Sequence, residues 1–96
     1  MDQITRDRLT DAVLSIITAD YQLPNGERIQ GQSISYLSSE LRGRGWKNVS
    51  NIHDLETTVE RLGFRVVRAQ GFVWNSSRKP GSPQHKLGAP ARVVTL

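Results

Sequence analysis

Apolar residues keep helical spacing in three stretches of the chain and become nearly continuous or alternating only after residue 63. In the first stretch Leu9, Val13, Ile16 and Ile17 share a face, which predicts a helix from about Thr5 to Asp20 with Asp7 near its positive end. Pro24-Asn25-Gly26 then breaks the pattern and predicts a turn, followed by Glu27-Arg28-Ile29-Gln30 as one short extended segment. Ile34, Leu37 and Leu41 at i, i+3 and i+7 predict a short second helix, capped by Ser33 or Ser35 and ended by Gly43 and Gly45. In the third helix Ile52, Leu55, Val59 and Leu62 form the buried stripe, and Ser50 or Asn51 is the cap. The opposite face carries Ser50, His53, Asp54, Thr57 and Arg61, with Glu60 at its border.

The period changes at Gly63, so the helix stops there. A glycine past the last turn takes the left-handed conformation that closes the final carbonyls, and Phe64 supplies the apolar contact that accompanies such a cap. A strand is expected from Phe64 to Ala69, with Phe72-Val73-Trp74 either continuing it past a bulge at Gly71 or folding back. The segment from Asn75 to Pro90, with three prolines, two glycines and the cations Arg78, Lys79 and Lys86, reads as an exposed loop before a last strand, Ala91 to Leu96. Arg-Val-Val recurs at 65–67 and 92–94, too short a recurrence for an internal repeat. The whole describes one α+β domain over residues 1–96, small but able to bury a modest core.

Charge sharpens this picture. The net charge is +4, yet residues 1–60 hold six basic and nine acidic side chains while residues 61–96 hold seven basic and none acidic. A surface of that kind attracts polyanions, because cationic side chains displace counterions condensed on phosphates; a basic loop that merely keeps the chain solvated accounts for the same composition. Without cysteine, neither a disulfide framework nor a thiolate zinc site can hold the fold. His53 and His85, the two histidines, make no metal site by themselves, no glycine-rich phosphate loop follows a strand, and no serine has a histidine at a telling spacing. No enzyme, no cofactor and no metal are therefore expected. The longest nearly apolar run, Ala12 to Ile17, is too short to cross a bilayer, and a secretory pattern is lacking at residue 1, so a cytoplasmic protein is expected.

The order helix, extended segment, helix, helix, strand, basic loop, strand resembles the winged helix-turn-helix domain. The resemblance is carried by the Ile34-Leu37-Leu41 helix, by the helix end from Ile52 to Phe64, and by the hairpin from Arg65 to Leu96 with its basic tip at about 75–90. It implies that the third helix enters the major groove of DNA, its amino-terminal half meeting base edges, while the wing reaches the flanking backbone. Two features depart from it: the connector from Arg42 to Val49 is longer than a tight helix-turn-helix turn, and the third helix carries Asp54, Glu56 and Glu60 against Arg61.

On that reading the DNA contacts fall in three groups. The connector offers Arg42, Arg44, Lys47 and Asn48, interleaved with glycines that let backbone approach a surface, although Arg42 and Arg44 equally suit the negative end of the second helix. The third helix offers Ser50, Asn51, His53, Thr57 and Arg61, with Asn51 either a reader of adenine or the helix cap. The wing offers Arg68, Arg78, Lys79 and Lys86; Arg65, three residues before Arg68, points to the other face of a regular strand. Trp46 and Trp74 stack on bases or pack in the core. The function expected is sequence-specific binding of double-stranded DNA by a transcriptional regulator, with a homodimer on paired half-sites to extend a short footprint. The alternative is a winged-helix module that binds a protein instead.

Overall fold

Asp2 starts the first helix. Its Oδ1 accepts the Thr5 amide hydrogen at 2.7 Å, and that bond holds the carboxyl below its ordinary range. The structure, a computed structural model, describes residues 2–49, 51–74 and 85–96, with backbone alone at 73, 74, 85 and 86. Asp7, expected at the positive end of this helix, lies one turn further in and accepts from Gln3 Nε2. The helix α1 (Gln3–Ile16) stops four residues short of Asp20. Ile16-Ile17-Thr18 is a β-branched run that loses side-chain freedom in a helix, and Asp20 would set a carboxylate against the negative helix end. The chain instead leaves at Ile17 and forms β1 (Ala19–Gln22), which pairs antiparallel with β2 (Arg28–Ser33). The single extended segment expected between the first two helices is thus a hairpin.

Ser33 caps α2 (Ile34–Gly43) and Asn51 caps α3 (Ile52–Arg61), each accepting a backbone N–H from the first turn of its helix. Both helices end in the same way. Gly63 at φ +99° donates to the Glu60 carbonyl while Phe64 donates back to Val59, and Gly45 at φ +93° donates to Arg42 while Trp46 donates to Leu41. In each case the left-handed glycine lets the next aromatic residue fold under the helix it has just left, and Phe64 and Trp46 both pack on the core of buried Leu9, Val13, Leu37, Leu41, Leu55 and Val59. Ile52 does not join them. It is 42% exposed, because as the first residue of α3 it projects past the edge of the core.

From Phe64 the chain enters β3 (Arg65–Trp74), which runs on through Gly71, and returns as β4 (His85–Thr95). The last strand therefore begins six residues before Ala91, and four residues expected in the loop are paired: Gln70 with Pro90, Phe72 with Leu87, Val73 with Lys86, Trp74 with His85. The register shifts between Gln70 and Phe72, opposite Pro90 and Leu87, so β4 carries the extra residue. The four strands form an antiparallel sheet in the order β1-β2-β4-β3, and β1 pairs also with β3 at Tyr21 and Gly71, which closes the sheet on itself. Its inner face holds a second core of Tyr21, Ala69 and Val93, with Ala19, Ile29 and Val67 against it. Its outer face presents Val66 and Val94 to the helices.

Closure brings β2 very near β4. A Cβ on Gly31 would lie 2.5 Å from the Val94 carbonyl oxygen and 2.6 Å from Val93 Cγ1, whereas one on Gly43 meets nothing within 4 Å. Gly31→Ala is expected to lower stability by about 1–3 kcal/mol through overpacking against backbone, and Gly43→Ala to leave it unchanged or raise it by up to about 1 kcal/mol. Leu55→Ala, at a fully buried position, is expected to lower it by about 2–5 kcal/mol. Urea unfolding of the three variants checks the set; equal values for the two glycines would contradict the close approach of β2 to β4.

Candidate nucleic-acid interface

Parity along β3 decides which side chains can share a surface with α3. Val66, Arg68 and Gln70 alternate onto the outer sheet face, where they stand opposite Val94, Arg92 and Pro90; Arg65, Val67 and Ala69 take the other face. The helices cover Val66 and Val94, so the next pair along, Arg68 and Arg92, emerges beside α3. There Arg92 Nη1 donates to Glu56 Oε2 at 2.7 Å, tying helix to hairpin. Arg65 is elsewhere, its Nε donating to the Leu96 carbonyl. Gln22, on the neighbouring strand β1, continues the outer face from Gln70, and Arg28 follows it on β2 with its guanidinium 4.7 Å above the Phe72 ring. The outer face of the sheet thus carries Arg68, Arg92 and Arg28.

The exposed face of α3 is polar: His53, Asp54, Thr57, Glu60 and Arg61 are all exposed. On one flank Glu56 reaches the hairpin; on the other, the Arg61 carbonyl accepts from Arg6 Nη2 of α1 at 2.6 Å, and Arg61 lines a cleft of about 240 Å³ with Arg6, Thr58 and Leu62. Asn51 spends its Oδ1 on the His53 amide, which makes it the cap.

The connector cations do not converge. Arg44 turns back on α1, its Nη1 donating to Ser15 Oγ at 2.8 Å. Lys47 and Asn48 line a different cleft, of about 260 Å³, beside Thr5 at the other end of the same helix. Ser15 and Thr5 are ten residues apart, about 15 Å along a helix axis. Arg42 is exposed in the last turn of α2, and Trp46 is part-buried against the core, not presented for stacking. Ser50, Arg78 and Lys79 lie outside the described residues, and of Lys86 only the backbone, paired with Val73, is described.

The structure therefore leaves His53 and Thr57 exposed on α3 between Arg68, on the hairpin side beside Glu56, and Arg61, on the α1 side beside Arg6, and places Arg44 elsewhere, against Ser15 of α1. Arg92 belongs with Arg68 beside Glu56 of α3, Arg28 lies apart over Phe72, and neither was singled out in the sequence. For Arg92 the signal was present: Val66-Val67-Arg68 and Arg92-Val93-Val94 are mirror images, the relation that antiparallel pairing turns into like facing like. Among the described residues no group of three or more His, Cys, Asp or Glu side chains is placed to hold a metal ion, and no helix is long and apolar enough to cross a membrane. Comparison with family models, curated proteins and solved structures finds no match to this chain.

As the cap of α3, Asn51 acts on stability. Asn51→Ala is expected to lower it by about 1 kcal/mol and Asn51→Ser to restore nearly all of that, measured by urea unfolding; an alanine variant as stable as the parent would remove Asn51 from this role.

Proposed function

We propose that the protein binds double-stranded DNA in the manner of a winged helix, α3 reading bases and the β3–β4 hairpin gripping backbone, as a transcriptional regulator. One observation carries the reading: Arg68 and Arg92 stand side by side on the outer sheet face next to an α3 whose exposed surface is polar. The run α2, α3, β3, β4 supports the winged-helix reading, while the β1–β2 hairpin between α1 and α2 and the closure of the sheet depart from the order that the resemblance implies. His53 and Thr57 belong to neither cap nor core, which leaves them for hydrogen bonds to base edges. Asp54 and Glu60 repel phosphates, so attraction must come from the hairpin and from Arg78, Lys79 and Lys86, which belong to the stretch between Trp74 and Leu87.

Binding to mixed duplex fragments across a salt series tests this. Affinity is expected to fall steeply as salt rises, and neutralising Arg78, Lys79 and Lys86 together is expected to flatten the logarithmic slope by up to about three, close to one for each phosphate no longer neutralised. Binding that is absent or indifferent to salt would favour the protein-interaction alternative.

Base reading has a different signature. Alanine at His53 and Thr57 is expected to leave the fold intact and to shrink discrimination between a selected site and random DNA by about 1–3 kcal/mol for each side chain removed, with random-DNA affinity unchanged. An equal weakening on both DNAs would assign the two residues to the backbone.

A further inference from the structure

Like charges placed directly opposite on a sheet repel, and Arg68 and Arg92 are such a pair. Between them and α3 lies an open groove of about 330 Å³ lined by Glu56, Val66, Arg68, Pro90 and Arg92. Among the described residues, Glu56 is the one carboxylate that lines this groove with the two guanidiniums. It meets Arg92 through a single oxygen, and Arg68 has no hydrogen-bond or ion-pair partner among the described residues. The side chains of the ion pair are 71% and 34% exposed, so water screens it and little opposes its exchange. A guanidinium has a fork of donors that suits two oxygens of one phosphate, and here it is offered one oxygen of a carboxylate.

We propose that Arg68 and Arg92 form the seat of one backbone phosphate of double-stranded DNA, and that Glu56 lies on that seat in the free protein and competes with the phosphate for Arg92. The inference rests on the DNA-binding reading above and adds to it a residue that weakens the grip. Glu56 is suited to this by position, since it flanks α3 on the hairpin side while Asp54 and Glu60 are exposed elsewhere on the helix and, among the described residues, pair with no arginine of the hairpin. Its effect is independent of base sequence. A complex in which the phosphate has replaced Glu56 neutralises the same number of phosphates whether or not Glu56 was there to displace, so the carboxylate lowers affinity without changing salt dependence.

Fluorescence anisotropy of the full chain on a short random-sequence duplex, between about 50 and 200 mM salt, separates the possibilities. Glu56→Gln is expected to bind severalfold tighter at an unchanged slope, and Arg92→Gln to flatten the slope by about 0.9. The gain from Glu56→Gln is expected to vanish when combined with Arg92→Gln. Arg68→Gln provides a second reading that leaves the ion pair intact and is expected to flatten the slope by a similar amount, and the two arginine changes together by no more than about 0.9, because they share one phosphate; thermal unfolding verifies that each variant is folded. A gain that persists without Arg92, or an equal gain from Glu60→Gln, would reduce Glu56 to general repulsion and overturn the proposal while DNA binding stands. Unchanged slopes in both arginine variants would overturn it as well. A parent protein that shows no salt-dependent binding would sink the DNA-binding reading itself and this inference with it.

Discussion

The chain passes from α3 to β3 through Leu62, Gly63 and Phe64, and the geometry of that passage governs everything downstream. Gly63 in the left-handed conformation lets Phe64 donate back to Val59 and tuck into the core, so the strand begins at Arg65 with a fixed direction and a fixed parity. Parity then assigns every side chain of the hairpin. Val66 faces the helices, Arg68 follows it onto the same face beyond their edge, and Arg65 is turned away. One residue more or less between Val59 and Val66 would bury the arginine and expose the valine. The basic surface beside α3 is thus a consequence of how a helix is ended.

Closure of the sheet is the second constraint, and it acts on the hairpin from the opposite side. Gln22 and Tyr21 of β1 pair with Gln70 and Gly71, which brings the four strands around a small core of Tyr21, Ala69 and Val93. Beyond Gly71 the two long strands pair with each other, from Phe72–Leu87 to Trp74–His85, and among the described residues with no other strand. The hairpin therefore has a braced base, where Arg68 and Arg92 sit, and an unbraced outer part. A rigid base positions a contact, whereas a part held by fewer neighbours can adapt to one.

Much of this was legible in the sequence, because the apolar stripes of the three helices and the glycine at 63 carry their own physical signatures. Leu9, Val13, Leu37, Leu41, Leu55 and Val59 are all fully buried, as their spacing required. What was not legible has identifiable causes. Tyr21 follows Ile17 at i+4, so the residues of β1 satisfied a helical pattern as well as an extended one, and only pairing with Gly31 and Gly71 decides between them. Pro90 and Gly88 read as loop residues, yet Pro90 sits where β4 has β3 on one side and no paired β2 residue on the other, a position that does not require its N–H. For Arg92 the mirror image of Val66-Val67-Arg68 was there to read, but which residue stands opposite it depends on register, and a single sequence does not state register. Asn51 could cap or read bases from its position alone, and the hydrogen bond to the His53 amide settles that its side-chain oxygen caps.

The central claim is that the outer face of α3 and the base of the hairpin act together as one DNA surface, and amide chemical shifts report it residue by residue. In a titration of the labelled protein with double-stranded DNA, the resonances expected to move are those of His53 and Thr57 together with Arg68 and Arg92, while Leu14 and Ser15 at the far end of α1 and Asn25 in the β1–β2 turn stay in place. Shifts confined to α1 and α2, or none at DNA concentrations that saturate other basic proteins, would contradict the account.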